Sequence, residues 1–242
     1  MIVLFPLVVF VLLKALDLPS GVATGLAILA AVPGAPMLKK RTEGAGGEPT
    51  YASSLQLSLA LCVAIIAPVT LGIFYAQFDM VTERVAPWDV ARQVVRVTFL
   101  PVLIALVVVR FAPAVVERIK EPLGKIANLL FLLFTLAIVG LLALSPDLRG
   151  MLLVGWLPLV AVVITVVAGL AMGHFLGGPA QNTRAVLATA SIARNAGLAF
   201  YIAALSNYQR EFLPILLVYL LTGSVLAIPY SIWSKRRLQS EQ

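Results

Sequence analysis

Charge is scarce in this sequence. Of its 242 residues only 12% are charged and 61% are hydrophobic, and the mean hydropathy is +1.01, leaving too little polar surface to cover a water-soluble domain. Cysteine occurs once, as Cys62, which excludes a disulfide framework or a thiolate metal cluster; in its apolar run it reads as a buried, inert thiol. Histidine also occurs once, as His174, too few for a metal site, and it reads as a hydrogen-bonded interfacial residue. All 11 acidic residues fall in loops or at the ends of apolar runs, so no carboxylate is available at depth to hold a cation or relay protons. No nucleophile with a base lies at depth, which argues against an intramembrane enzyme. An ATP-binding motif is missing, which argues against an autonomous pump; the glycine pairs at 46–47 and 177–178 lack the strand of a nucleotide loop and read as turns. A channel's charged ring or repeated filter motif is missing too.

What is present is about eight apolar runs of bilayer-spanning length, near 2–16, 19–38, 54–77, 91–112, 124–145, 150–176, 183–205 and 211–234. In lipid, a helix closes its own backbone hydrogen bonds, so the expected fold is an all-α polytopic membrane protein with the bilayer as its solvent. The first run lacks a basic leader and carries Lys14 in its flank, so it reads as a membrane helix and not a signal peptide. Trp88, Trp156 and Trp233 sit near run ends, as an aromatic belt requires.

The net charge of +7 needs no nucleic acid to explain it. With the N-terminus in the cytoplasm, the inner loops carry Lys39, Lys40, Arg41, Arg110, Arg118, Lys120, Lys125, Arg184, Lys235, Arg236 and Arg237. The outer side carries Lys14, Arg84, Arg92, Arg96, Arg149 and Arg210, together with Asp79, Glu83, Asp89 and Asp147. That asymmetry obeys the positive-inside rule with both termini cytoplasmic.

Two runs are interrupted. In GVATGLAILAAVPGAPMLKKRTEGAGG, Pro33, Gly34 and Pro36 should break a helix near Val32 to Pro36, because proline lacks a donor and clashes with the preceding turn. In TRAVLATASIARNAGLAFYIAAL, Thr189, Ser191, Arg194, Asn195 and Gly197 cluster near mid-span, a costly depth unless they face protein or water. The breaks fall in the second and seventh runs, a separation that suggests an inverted repeat of five helices whose broken members meet near the midplane. On that reading 1–242 is one transmembrane domain: 1–77 is the remainder of a first repeat, 91–234 holds a second repeat with a connecting helix, and 235–242 is a cytoplasmic tail. The first repeat lacks its first two helices, and the abrupt opening points to further sequence upstream.

At these segments the sequence resembles the bile acid:sodium symporter family, within the superfamily that includes arsenite efflux permeases and auxin carriers. LLKALDLPSGVATGLAILAAVPGAP is similar to the family's third helix running into its fourth, and TRAVLATASIARNAGLA to its ninth. TFLPVLIALVVVRFAP resembles the sixth, so the chain corresponds to helices three to ten. Gly46, Gly47 and Tyr51 look most like the bacterial branch called sodium-dependent transporters. The resemblance implies a secondary transporter of a small solute by alternating access, with oxygen ligands for two sodium ions on the crossover helices and the helix after the first.

Aligned on Pro33 and Gly34, the family's serine and asparagine ligands fall at Leu38 and Lys39, its glutamate at Ala190 and its glutamine at Arg194. The asparagine and glycine persist as Asn195 and Gly197, and the hydroxyls of the intervening helix fall near Gln56 and Ala60. Two ligands are thus replaced by cations. The expectation is a solute site formed by Pro33, Gly34, Ala35, Lys39, Gln56, Thr189, Ser191, Arg194, Asn195 and Gly197, with no metal ligands and no cofactor beyond the sodium that the resemblance implies. Arg194, helped by Lys39, would take the electrostatic part of a bound cation and favour a small organic anion.

Structural alternatives stand beside each assignment. Arg194 and Asn195 could satisfy backbone freed at the break, Thr189 and Ser191 could bond the carbonyl one turn back, and Lys39 and Lys40 could snorkel to headgroups. Gln56 could line a cavity or cap a neighbour, and Pro33, Gly34 and Pro36 could form a plain kink. A non-transporting membrane subunit of the same fold is the alternative function. Oligomeric state is not legible.

Overall fold

The computed structural model describes residues 1–35, 38–80, 87–144, 155–204 and 209–240. Pro36, Glu83, Arg84, Asp147 and Arg149 lie outside them, as do the expected span ends at 145, 150 and 205. The described elements are helical: α1 (Leu4–Ala15), α2 (Ser20–Ala31), α3 (Leu38–Gly44), α4 (Pro49–Gln77), α5 (Pro87–Val94), α6 (Leu100–Phe111), α7 (Pro113–Leu144), α8 (Trp156–Leu176), α9 (Gln181–Ile192), α10 (Ala196–Ala204) and α11 (Gln209–Ser240). Every expected span is represented, two of them as broken pairs, α2 with α3 and α9 with α10. The fourth carries a π-helical turn, Val95–Phe99, between α5 and α6. Pro101 follows it closely, and its missing N–H loosens the helical ladder there.

The chain forms two compact units, Met1–Val95 with Val154–Gln242, and Arg96–Leu153. The second unit holds α6 packed on α7. The first holds both broken pairs at its centre: α2 packs against α1, α4, α10 and α11, and α9 against α3, α4, α8 and α11. Small side chains make α2 a core helix, since every residue from Gly21 to Ala31 is buried. At Gly25 an added Cβ would come within 2.0 Å of Ile215 Cγ2, so the α2 and α11 backbones approach as only a small residue permits.

The outer face of this unit is apolar. On α4, Leu57, Leu61, Ile65, Val69 and Ile73 recur every fourth residue and are all exposed, whereas Leu59, Val63, Ala67, Leu71 and Phe74 are buried. An exposed aliphatic stripe of that length needs lipid as its solvent. The helices Pro49–Gln77, Trp156–Leu176 and Glu211–Ser240 are each long and apolar enough to cross a membrane.

One expectation fails here. Cys62 is exposed beside this stripe, not buried. In a membrane protein an apolar run identifies the solvent around a helix and does not determine which residues face protein. The other local readings hold: Gly46 and Gly178 adopt positive φ in turns, and His174 Nδ1 lies 3.0 Å from the Tyr230 hydroxyl. Trp88 and Trp156 sit exposed at helix N-termini, and Trp233 is exposed near the end of α11.

Candidate functional site at the crossing of two broken helices

The two breaks meet. Asn195 N–H donates to Val32 O at 3.1 Å and Ala35 N–H donates to Ala193 O at 3.2 Å, with Pro33 facing Arg194 as an antiparallel bridge. Neither bond asks for an N–H from Pro33, which is why a proline fits here. Gly34 has φ +80°, and an added Cβ would lie 2.8 Å from Leu59 Cβ, so conformation and space both select glycine. Pro33 and Gly34, expected to line a solute site with a plain kink as the alternative, here carry an isolated antiparallel bridge to the second break.

Breaking a helix strands carbonyls at its C-terminus, and at α9 they are satisfied by two side chains. Tyr219 O–H donates to Ile192 O at 3.1 Å, and Arg194 Nη2 donates to Ser191 O at 2.6 Å. Asn195 Oδ1 accepts from Leu198 N–H at 3.1 Å and so caps the start of α10. The amide thus takes the structural role that its type allowed.

Arg194 is only 2% exposed. Its guanidinium carbon lies 3.5 Å from the centroid of the Phe5 ring, which itself meets Tyr219 edge-on. Nε and Nη1 have no hydrogen-bond partner among the described residues. No carboxylate forms an ion pair with Arg194 among the described residues. A cationic group with spare donors is therefore held at the crossing beneath an aromatic face.

The remaining expected residues divide. Ser191 Oγ donates to Leu187 O at 2.8 Å, the ordinary fate of a membrane hydroxyl, but Thr189 Oγ1 is buried with no partner among the described residues. Gly197 is exposed with room for a side chain, so nothing in its surroundings demands glycine. Gln56 Oε1 accepts from the backbone N–H of Lys39 at 3.4 Å, whereas Lys39 itself is exposed on α3. Phe5 and Tyr219 carried no motif, although a tyrosine within the apolar run of the eighth span, LLVYLL, was a signal available in the sequence.

Two of the positions that the resemblance assigned to cation ligands are apolar and sealed in the core. Leu38 and Ala190 are fully buried and cluster with Ala35, Leu59 and Ala193. Four of the carbonyls at the crossing, those of Val32, Ser191, Ile192 and Ala193, each accept a hydrogen bond from the protein. Among the described residues no group of three His, Cys, Asp or Glu side chains is placed to hold a metal ion.

Apolar membrane-length helices and a pair of broken helices crossing through backbone hydrogen bonds define an integral membrane protein of the transporter type. The chain belongs to the Sodium Bile acid symporter family, whose model it matches over residues 2–145, more than half its length. The matched region contains the first broken helix; the second is located by its bonds to the first. No curated protein matches the chain significantly.

Proposed function

We propose that this protein is a secondary transporter of a small organic anion, in which the guanidinium of Arg194 supplies at the crossing the positive charge that sodium would otherwise supply. The observation that carries this reading is a nearly fully buried arginine with two unpartnered nitrogens and no neutralising carboxylate among the described residues. A cation so placed is costly in a low-dielectric site until an anion joins it. A carboxylate bound there would accept charge-assisted hydrogen bonds and bring the local charge to zero. The apolar cluster around Leu38 and Ala190, and the carbonyls already committed to protein donors, favour transport without a sodium ligand shell.

Movement would follow the alternating-access scheme, the crossing being presented in turn to each side of the membrane. The basic end bearing Arg41 and Lys235 to Arg237 would face the cytoplasm of a bacterial inner membrane. The test is uptake of a panel of labelled monocarboxylates and sulfonates into proteoliposomes holding the full chain. Removing a charge-assisted contact worth about 1.5–3 kcal/mol, Arg194→Gln should slow uptake about ten- to a hundredfold. Wild-type flux in folded Arg194→Gln protein would instead support a non-transporting or purely structural arginine.

A further inference from the structure

Beside the crossing, within the first unit, lies a cavity of about 570 Å³ walled by α3, α9 and α11. Its charged lining is entirely cationic, Arg41, Lys235 and Arg236, and its hydroxyl lining includes Thr189 and Ser231. Helices α9 and α11 run antiparallel: Gln181 bonds Ser234 at one end and Ile192 bonds Tyr219 at the other. Lys235 and Arg236 therefore lie at the outer end of the cavity, while Thr189 and Ile192 lie at the crossing end. Arg41 lines the same cavity as Thr189 and Ile192, and the Ile192 carbonyl accepts from Tyr219 beside Arg194. The cavity thus has cationic groups in its wall and the buried Arg194 at the crossing beside it.

Thr189 is the unexplained member of this wall. It is 4% exposed, and its hydroxyl has no partner among the described residues, although Ser191 on the same helix bonds the carbonyl one turn back. We infer that Arg41 and Thr189 form a second anion station, in series with Arg194, that takes the carboxylate, sulfonate or phosphate group of the solute. The inference rests on the transport reading above and adds a residue pair and a route to it. The guanidinium of Arg41 offers planar paired donors to an oxyanion, and a turn about the Thr189 Cα–Cβ bond presents its hydroxyl to the same group. Lys235 and Arg236 draw anions to the mouth by long-range attraction.

The experiment uses the full chain in nanodiscs, with sulfate and acetate as probes against chloride at matched ionic strength. It reads the rise in unfolding temperature with probe concentration, in wild type and in an Arg194→Gln background where the crossing site is disabled. The station predicts saturable stabilisation by an oxyanion in both. It also predicts that Thr189→Val and Arg41→Gln each raise the half-saturating concentration about tenfold, and that Thr189→Ser preserves it. Valine keeps the shape and removes an unpartnered hydroxyl, so that variant should fold. No oxyanion-specific stabilisation in the Arg194→Gln background, or a Thr189→Val response within about twofold of its parent, overturns the station. Failure of the transport reading is separate: Arg194→Gln would then retain solute flux whatever Thr189→Val does.

Discussion

Replacing Arg194 by methionine separates a solute-binding arginine from a structural one. The substitution removes one charge-assisted bond to Ser191 O, worth about 1.5–3 kcal/mol, and the contact with the Phe5 ring, worth about 2 kcal/mol when desolvated. It also relieves the desolvation of a cation that has no carboxylate partner among the described residues, a penalty of several kcal/mol. These contributions oppose one another, and the expected net change is within about 2 kcal/mol of zero. For a chain of this length that corresponds to a shift in the unfolding midpoint of at most roughly 4–8 °C. Thermal unfolding in nanodiscs gives the midpoint, and proteoliposome uptake per folded molecule gives activity. Near-native stability with uptake abolished is the expected pair of results. A midpoint collapse well beyond that range, with uptake per folded molecule unchanged, would show that Arg194 serves the fold and refute the reasoning.

Other consequences follow from individual contacts. Tyr219→Phe strands the Ile192 carbonyl at the end of a broken helix and should cost about 1–3 kcal/mol, visible as a lower unfolding midpoint. Gly25→Val places its Cβ against Ile215 Cγ2 and should destabilise by at least about 1–3 kcal/mol, with loss of folded protein on size-exclusion chromatography. Glu48 caps α4 by accepting from the backbone N–H groups of Thr50 and Tyr51, and these bonds hold its carboxyl below the ordinary glutamate range. Because the folded value is lowered, the cap's contribution is present above the unfolded carboxyl's titration and is lost as pH falls through the folded value. The stability gap between wild type and Glu48→Ala should therefore exist at neutral pH and close in strong acid, as measured by thermal denaturation at each pH.

The spans and both breaks were legible because apolar length, proline and buried polar residues each have a direct backbone consequence. The pairing of Pro33 with Arg194 across the breaks gives a physical form to the expected meeting of crossover helices. What the sequence concealed depends on which way a helix faces. Cys62 lies in an apolar run yet points away from protein, because in lipid hydrophobicity does not distinguish the two sides of a helix. Arg41, two residues beyond Lys39, lines the cavity and Lys39 does not, since a short helix after a proline break takes its rotation from tertiary contacts. Phe5 and Tyr219 bear no pattern of their own, and their roles arise only when α1 and α11 close over the crossing.

The most direct measurement is solute uptake into proteoliposomes with an inward sodium gradient, and again with choline replacing sodium throughout. On the proposed reading, in which Arg194 takes the place of a bound cation, the two rates for an accepted organic anion should agree within about twofold, because uptake then requires no sodium ion bound beside the anion. Uptake that collapses when sodium is withdrawn, in a protein whose Arg194 is intact, would contradict the central claim.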